Sequence, residues 1–551
     1  MNFAHPSHRF VFAFLAVLPW AQPGPAAETS AAPSKLVAIS HGAARRVSGS
    51  FHILDTGNAR WLIDCGVLFD EETAKGRMGK TETSRLQAAL PASALTASAL
   101  FITHAHADHL GRVPLLVHNG FSGSIYATPA TKALAEVVFE SSIRYESSYA
   151  RQWTWSKRAK QSAEPSRKAF VVHWRNCAGK QAIAADDRDE TESTTQELQD
   201  RFHDQKPRVK VTICQDCNRE ELAAILRLFH PMAYNTPVEV GSGVKATFLN
   251  AGHIPGSASV LLEVAIGDRT RRVLFSGDLG NDLSPLFPGP KPAPDVDAVF
   301  TETTYGAANR GPEVTGQRAE FRRVLGDVAA QRGVVWIPAF ALDRTQKILY
   351  EIHLAQKENL LPKSLPIYCP SPTARAITDT YRQHQKEGWF SAEVAGDEDA
   401  FSPRTMRGTV PSYNSLPQPC IIVSTTDLAR IPWMAKLAVD LLENRNNAFF
   451  TVGYSDPESA AGQLKLGAEK VTLDGREVRV RAAIRSFECF TGHGSAADID
   501  GWLSPISRQA KVVLIHGSPD SLKARAEQLR GRGWSSVVVA EAEQSIDLLV
   551  P

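Results

Sequence analysis

The residues best suited to chemistry in this chain form the hexapeptide His104-Ala105-His106-Ala107-Asp108-His109, which follows the apolar run at residues 99–103. In an extended segment, residues two apart project to one side, so His104 and His106 can offer neutral imidazoles to the same tetrahedral zinc ion. Asp108 and His109 lie where the chain changes from strand to helix, so their side chains point in a different direction and can reach a second metal nearby. Three histidines and an aspartate within six residues therefore predict a two-metal site for displacement at phosphorus or carbonyl centres.

Four further polar residues each end an apolar, strand-like run and have glycine close by. Strand ends converge on one edge of a sheet, and glycine permits tight turns and close backbone approach, so these residues can join one metal nest. Taken singly, each is better explained as a core histidine or a turn aspartate. Together with the hexapeptide they supply about the number of ligands that two zinc ions need. The four are His253, Asp278, His493 and His516.

The ordered motifs resemble the metallo-β-lactamase superfamily and, within it, the β-CASP nucleases, relatives of the cleavage and polyadenylation endonuclease and of bacterial RNase J. The resemblance covers roughly residues 36–551 apart from a variable insert, and a family-like segment also runs from residue 337 to residue 346. The superfamily pattern is matched by Asp64, the hexapeptide, His253 and Asp278, and the β-CASP motifs A, B and C are matched by Glu302, His493 and His516.

The resemblance implies a role for each of these residues. A hydroxide shared between two zinc ions would attack the scissile phosphorus in line. His493 would contact the phosphate and help to protonate the leaving oxygen, with Glu302 orienting it, and Asp64 would support a ligand or the hydroxide from behind. The implied ligands are His104, His106 and His253 for one zinc, Asp108, His109 and His516 for the other, and Asp278 bridging both.

The expected activity is zinc-dependent cleavage of single-stranded RNA, endonucleolytic in mode, with 5′-phosphate and 3′-hydroxyl products. A histidine at the position of His516 resembles the RNA-cleaving members of the family, whereas the DNA-cleaving branch usually has an apolar residue there. Two alternatives stay open: a hydrolase of a small ester, lactam or thioester, and a DNA nuclease. A homodimer is also left open.

The elements that must position these residues predict an α/β fold. The resemblance implies a four-layer αββα sandwich with an inserted α/β domain that carries a mainly parallel sheet. Residues 124–127 and 512–515 read as strands, and residues 342–354 and 432–442 as helices. From about residue 310, short apolar strands alternate with helices, as βαβ units require. The predicted boundaries are 35–308 and 481–551 for the two parts of the sandwich and 309–480 for the inserted domain.

The composition says little about function. A net charge of +2 argues neither for nor against a nucleic-acid partner, because a local basic groove is compatible with a balanced total. Seven cysteines spread over 551 residues do not fit a disulfide framework. Four cysteines in or beside apolar runs are predicted to be buried thiols, namely Cys65, Cys369, Cys420 and Cys489. The insert at about residues 141–220 holds a candidate structural zinc site of His173, Cys177, Cys214 and Cys217, with unrelated thiols or a Cys214–Cys217 disulfide as alternatives.

The first 34 residues bear on the cellular compartment of the protein. A short apolar run at residues 10–18, followed by small residues, has the layout of a secretory signal peptide, with a misassigned upstream extension as the competing interpretation. A cleaved signal predicts a periplasmic or secreted protein, and its absence a cytoplasmic one. No other segment is long and apolar enough to cross a membrane. Two segments of the inserted domain, 424–429 and 454–459, lack the glycines usual in the family's phosphate-contacting loops.

Overall fold

The computed structural model describes residues 35–68, 90–142, 169–172, 208–211, 215–241, 243–401, 406–425, 432–453, 455, 457–473 and 475–550. These ranges belong to the second of two units into which the chain divides, Ala32–Pro551. The predicted leader lies outside them, as do His173, Cys177, Cys214 and the side chain of Cys217. Most of the segment 424–429, together with Tyr454 and Asp456, also lies outside them.

The first of two seven-stranded sheets is built mostly from the amino-terminal part of the chain. Four neighbouring strands run parallel, so their carboxyl ends lie at one edge: Arg60–Ile63, Ala99–Phe101, Ser124–Ala127 and Phe229–Pro231. The strands on the other side pair antiparallel. In spatial order the strands are Ser545–Asp547, Val37–Ser40, His52–Asp55, Arg60–Ile63, Ala99–Phe101, Ser124–Ala127 and Phe229–Pro231.

The second seven-stranded sheet joins the middle of the chain to its carboxyl-terminal part. Arg269–Phe275, Ala298–Glu302 and Lys511–Ile515 are parallel neighbours, although more than 200 residues separate the last two in sequence. In spatial order the strands are Ser536–Val539, Lys511–Ile515, Ala298–Glu302, Arg269–Phe275, Ala258–Ile266, Val244–Asn250 and Val238–Gly241.

Alternation along the strands of both sheets gives the four-layer αββα arrangement. Trp61 and Phe101 of the first sheet share one buried core with Phe248 and Phe275 of the second, which places the two sheets face to face. The side chains next to these in sequence point to the outer faces of the sandwich. Leu62 and Leu100 of the first sheet pack beneath helices, and so do Leu274 and Leu514 of the second sheet. The helices that cover the sandwich are Ala107–Leu110, Val113–His118, residues 129–142, Gln215–Arg227, Ala496–Leu503 and Pro519–Gly531.

A third, six-stranded sheet lies in the stretch of chain between the last two groups of sandwich strands, and all of its pairs are parallel. The mainly parallel sheet is therefore confirmed, whereas the domain boundaries stay predictions; the last strand of this sheet follows residue 480. In spatial order the strands are Met406–Arg407, Ile367–Tyr368, Cys420–Ser424, Val334–Pro338, Ala448–Thr451 and Ala483–Ser486. Its helices are Gln317–Ala330, Arg344–Lys357, Pro372–Gln383, Ala392–Gly396, Pro432–Leu442 and Ala460–Lys465.

The remaining elements are small. Ala92–Leu95 is a short helix before the hexapeptide strand, and Pro312–Gly316, Tyr413–Ser415 and Glu488–Phe490 are single turns of 3-10 helix. Two two-stranded sheets pair Lys470–Leu473 with Arg476–Arg479 and Ala169–Val172 with Arg208–Val211.

Burial of the described side chains agrees with one of the sequence expectations. Cys65, Cys369, Cys420 and Cys489 are free, buried thiols, as predicted. Among the described residues, no helix has the length and apolar character needed to span a bilayer.

The inserted domain also holds a buried ion pair, in which Lys347 Nζ lies 2.6 Å from Asp343 Oδ2. Asp343 has a φ of +68°, a conformation that is costly for a residue other than glycine.

Candidate active site

The predicted site residues converge because they follow the carboxyl ends of parallel strands in two facing sheets. Asp64 follows Arg60–Ile63, and the hexapeptide follows Ala99–Phe101 in the first sheet. In the second sheet, Asp278 follows Arg269–Phe275, Glu302 ends its strand, and His516 follows Lys511–Ile515. The register Glu302↔Ile515 brings these last two ends side by side. The prediction that strand ends build this site agrees with the geometry for these residues and for His253, which follows the antiparallel strand Val244–Asn250. It is wrong for His493, which follows the 3-10 turn Glu488–Phe490 and not a strand.

The hexapeptide changes from extended chain to helix within its own length. His106 has extended backbone angles and is the residue before the helix Ala107–Leu110, whose first turn therefore contains Asp108 and His109. The backbone N–H groups of His109 and Leu110 donate to the carbonyl of His106, at 3.0 and 3.1 Å. This turn separates the directions of the two halves of the motif, which is why they serve two different clusters.

The first cluster joins the first two hexapeptide histidines to His253. The Nδ1 atom of His106 lies 3.1 Å from His104 Nε2 and 3.1 Å from His253 Nε2. The Oδ2 atom of Asp278 lies 3.6 Å from the Nε2 atoms of both His104 and His253. All four ligand atoms lie within 4.8 Å of one another, which is close enough to surround a single metal ion.

The second cluster joins the other half of the hexapeptide to His516. The Nε2 atoms of His109 and His516 are 3.3 Å apart, and Asp108 Oδ2 lies 3.5 Å from His516 Nε2 and 3.9 Å from His109 Nε2. Asp278 presents its other oxygen here, because Oδ1 lies 3.3 Å from His109 Nε2. One carboxylate thus faces both clusters, one oxygen to each.

The donor atoms of both clusters fit metal ions. His253 Nδ1 donates to the carbonyl of Gly492 at 2.9 Å, and His109 Nδ1 lies 2.7 Å from Asp64 Oδ2. In each ring Nδ1 therefore keeps its proton, and Nε2 is the nitrogen that faces the cluster. Asp278 Oδ1 is buried and has no hydrogen-bond partner among the described residues. A buried carboxylate oxygen surrounded by imidazole lone pairs needs a cation, and this set of nitrogen and oxygen donors suits zinc.

Burial and the neighbouring charges set the protonation of these ligands. Burial lowers the pKa of His104 and His253 well below its ordinary value, and lowers that of His106, which keeps the first cluster neutral and ready to donate lone pairs. For His109, burial acts to lower the pKa, but the surrounding carboxylates outweigh it and raise the pKa well above its ordinary value. For Asp278, burial acts to raise the pKa, but the facing histidines hold it well below its usual range. The carboxylate between the clusters is therefore ionised.

Asp64 holds the second cluster in place from behind. Its Oδ1 accepts from the Thr103 backbone N–H at 2.8 Å, and its Oδ2 accepts from the hydroxyls of Ser50 and Thr103 at 2.9 and 3.0 Å as well as facing His109. Asp64 and His516 both have positive φ, +60° and +50°. Such strained positions persist where the surrounding structure over-determines them, and they cluster at functional sites.

A histidine–glutamate pair forms the rim of the site. His493 Nδ1 lies 3.1 and 3.2 Å from the two carboxylate oxygens of Glu302, which is itself fully buried and accepts from the backbone N–H of Leu279 at 2.7 Å. Burial acts to lower the pKa of His493, but Glu302 and Asp278 outweigh it and raise the pKa to about 9. These carboxylates favour the protonated form of His493, and its ring remains 21% exposed.

The structure adds supporting residues that the sequence did not indicate. Ser50 binds Asp64 through its hydroxyl and donates its backbone N–H to the Asp108 carbonyl at 2.7 Å. The Ala43 carbonyl accepts from the His516 N–H at 2.7 Å, and the Thr304 hydroxyl lies 3.1 Å from His516 Nδ1. Ser50 and Ala43 belong to no motif. Thr103 adjoins the hexapeptide and Thr304 lies two residues after Glu302 in the motif A segment, so these two had a signal in the sequence.

Glycine is required at some of these turns and for different reasons. Gly252 and Gly277 have positive φ, as the predicted tight turns demand. Gly492 does not, but a Cβ there would lie 2.7 Å from Cε1 of the His253 ring. At the last strand end the unusual conformation belongs to His516 itself and not to its neighbour Gly517.

Comparison with known families assigns this architecture. Residues 45–310 match the model of the metallo-β-lactamase superfamily, and residues 345–464 match the Beta-Casp domain. Residues 477–539, which include His493 and His516, match a Zn-dependent metallo-hydrolase RNA specificity domain. The three models together cover both clusters, the Glu302–His493 pair and most of the inserted sheet.

Several characterised proteins are similar over most of the chain. A ribonuclease of Thermus thermophilus is 28% identical over 504 residues, which are 90% of this chain and 96% of that protein. The transcription termination factor FttA of Methanosarcina mazei is 23% identical over 86% of this chain, and the match covers 66% of the factor's length. An RNase J-like protein of Methanocaldococcus jannaschii is 21% identical over 87% of this chain and 91% of its own length.

Proposed function

The chain belongs to the metallo-β-lactamase superfamily and to its β-CASP family, and from this membership we propose that it is a zinc-dependent ribonuclease. The observation that carries the proposal is the combination of two adjacent ligand clusters with the Glu302–His493 pair at their rim. The ribonuclease of Thermus thermophilus, matched over nearly its whole length, supports RNA as the substrate. The match to an RNA specificity domain around His493 and His516 supports the same substrate.

The proposed cofactor is a pair of zinc ions. When bound, such a pair lowers the pKa of a water molecule toward neutrality and neutralises charge on a phosphodiester. One ion would be held by His104, His106 and His253, the other by Asp108, His109 and His516, and Asp278 would contact both. The separation of its two oxygens between the clusters supports this bridging role.

His493 is proposed to bind the phosphate and to protonate the leaving group. Its Nδ1–H is committed to Glu302, so its other ring nitrogen is available to a phosphate oxygen or to the leaving 3′-oxygen. Water adds to phosphorus as the bond between phosphorus and the 3′-oxygen breaks, which leaves a 5′-phosphate that carries the new oxygen and a 3′-hydroxyl that carries the proton from His493. Glu302 stabilises the cation and fixes the ring, because its own carboxylate is held by backbone N–H groups.

A direct test compares variants of the rim pair with a matched pair elsewhere. His493→Ala should lower kcat for single-stranded RNA by roughly 10²- to 10⁴-fold without changing the zinc content, and Glu302→Gln should approach that loss. The control is the exposed pair of His384 and Glu387, whose Nδ1 and Oε2 atoms are 2.7 Å apart. His384→Ala and Glu387→Gln should leave kcat unchanged.

The same assay separates the alternatives. Single-stranded DNA and a chromogenic β-lactam are offered beside the RNA, and hydrolysis of the lactam alone would refute the proposal. Unchanged RNA cleavage by zinc-replete His493→Ala would refute the role of the rim pair. Circular RNA, which offers no ends, should be cleaved if the mode is endonucleolytic, and the 5′ ends of the products should accept ligation only if they carry phosphate.

A further inference from the structure

Two exposed aromatic side chains each lie against an arginine guanidinium, and one of them, Tyr305, lies at the active-site rim. Among the phenylalanine, tyrosine and tryptophan side chains of the described residues, the exposed ones are Tyr305 and Phe340, at 36% and 64%. Tyr305 follows directly after the Glu302–Thr304 segment, and Phe340 follows the inserted strand Val334–Pro338. Large apolar side chains scattered singly on a surface are ordinary. These two exposed rings differ from scattered ones because each lies against an arginine guanidinium.

Tyr305 is fixed in position beside the catalytic histidine. Its ring centroid lies 6.3 Å from that of His493, edge to face, and its hydroxyl is 2.9 Å from the Thr491 hydroxyl. The guanidinium of Arg310 lies over the ring, 5.6 Å from its centroid, and Arg310 is itself paired with Asp498 at 2.8 Å. The ring is therefore held in place by contacts on several sides while part of it stays open to solvent.

Phe340 is more exposed and its backbone is equally fixed. Its carbonyl accepts from the backbone N–H and the hydroxyl of Thr345, at 3.1 and 2.7 Å. The guanidinium of Arg344 lies 5.9 Å from the ring centroid and donates to the carbonyl of Val452. One side of the ring thus rests on a fixed cation, and the other side is free for a planar partner.

Arg344 connects the two rings. Its guanidinium lies over the Phe340 ring, and Tyr305 is among the nearby groups that act on the pKa of Arg344. Proteins that grip single-stranded nucleic acid combine such aromatic surfaces with cations, because every base has a face that can stack.

We propose that Tyr305 and Phe340, backed by Arg310 and Arg344, form a stacking platform for the RNA bases adjacent to the scissile phosphate. This inference rests on the proposed ribonuclease function and specifies how that site holds its substrate. Stacking tolerates any base, so the platform provides affinity and position along the strand without strong sequence preference. Because the rings are already fixed, little side-chain freedom is lost when a base binds.

The test places one 2-aminopurine, a fluorescent base, at successive positions of a single-stranded RNA. Binding to the zinc-replete His493→Ala protein, which slows cleavage, should quench its fluorescence at one or two positions beside the cleaved bond. Phe340→Leu, which keeps apolar bulk but removes the flat face, should abolish the quench at one position and weaken binding roughly 5- to 150-fold. Phe340→Tyr should retain both effects.

An RNA that lacks the base at that one position sharpens the test. Removing the base should weaken binding to the protein with Phe340 intact but should cause no further loss with Phe340→Leu, because both changes delete the same contact. Leu466→Ala removes an apolar side chain that is 74% exposed and serves as the matched control, with no change expected.

The outcomes distinguish this inference from the proposal beneath it. If the wild-type protein cleaves RNA but no position is quenched, or if the losses from base removal and from Phe340→Leu simply add, the platform is refuted and the ribonuclease remains. If the wild-type protein neither binds nor cleaves RNA, both are refuted.

Discussion

Replacing Asp64 by asparagine should weaken one metal cluster and leave the other intact. The substitution preserves the shape of the side chain and the conformation of the backbone. Asparagine has nearly the same shape, and it tolerates the positive φ of +60° at this position at least as well as aspartate does. What changes is that one of two accepting oxygens becomes an NH₂ group that can only donate.

The consequence follows from the partners of each oxygen. Oδ1 accepts from the backbone N–H of Thr103, which cannot turn away, so the oxygen of the new amide should stay there. The NH₂ group then occupies the place of Oδ2, facing the hydroxyls of Ser50 and Thr103 and the Nδ1 atom of His109. The hydroxyls can rotate and accept. His109 can accept at Nδ1 only by moving its proton to Nε2, the atom that faces His516.

A proton on that nitrogen competes directly with a metal ion. Losing an outer partner of a metal-ligating histidine typically costs 10- to 100-fold in metal affinity or activity. We therefore expect the zinc held by Asp108, His109 and His516 to bind about 10- to 100-fold more weakly, about 1.4 to 2.7 kcal/mol. The affinity of the His104, His106 and His253 cluster should change little, because none of its ring nitrogens contacts Asp64.

The assay titrates metal-free protein with zinc against a chromophoric chelator and counts bound zinc by mass spectrometry. Asp55→Asn is the matched control, since Asp55 is a buried carboxylate in the neighbouring strand that pairs with Lys35 and Arg60 away from the site. The reasoning is refuted if folded Asp64→Asn binds both zinc ions with wild-type affinity, or if the two affinities fall equally.

Further predictions concern packing, a buried charge and the free thiols. Gly492→Ala should reduce zinc binding, because the new Cβ would lie 2.7 Å from Cε1 of His253, whereas Gly501→Ala, in a helix with nothing within 4 Å, should leave zinc binding unchanged; equal zinc content in the two variants would contradict this. Lys347→Met should lower the free energy of unfolding by about 3–5 kcal/mol, because it leaves its aspartate partner buried and unpaired, while Lys470→Met at an exposed pair should cost under about 1 kcal/mol, both measured by urea denaturation. Similar losses for the two lysines would show that the buried pair contributes nothing special. The four buried thiols should resist alkylation at pH 8 in the folded protein, because burial raises their pKa values to about 11 or 12. Since unfolded thiols ionise near 9.0, stability should be unaffected by them below that pH and should fall as the pH rises above it, as thermal melts at increasing pH would show.

Much of the local structure could be read from the sequence because it depends on near neighbours. The strand at 124–127 and the helix at 432–442 have the predicted bounds, and the helix predicted at 342–354 runs from Arg344 to Lys357. That shift has a local cause: Asp343 has positive φ and cannot continue a helix, so helical structure begins only after it. Side-chain type alone does not reveal such a conformation.

The sequence by itself determined the chemistry of the ligands, because imidazole and carboxylate donors within one short segment are suited to metal binding whatever surrounds them. The order of the motifs also indicated the family, whose resemblance implied the layers of the sandwich. The alternation of short strands and helices indicated the parallel sheet of the inserted domain. Only the tertiary structure decided which donors meet. His516 reaches the hexapeptide through a strand more than 400 residues away, and Asp278 divides its oxygens between the clusters.

The supporting contacts were likewise decided only in three dimensions. Ser50, the Ala43 carbonyl and the Gly492 carbonyl hold ligands that are distant in sequence, and any residue could supply the two carbonyls. The physical reason is that the kind of donor atom a residue offers depends only on its own side chain. Its direction, its protonated nitrogen and its partners depend on where separate strands end, and strand pairing between distant segments fixes those positions.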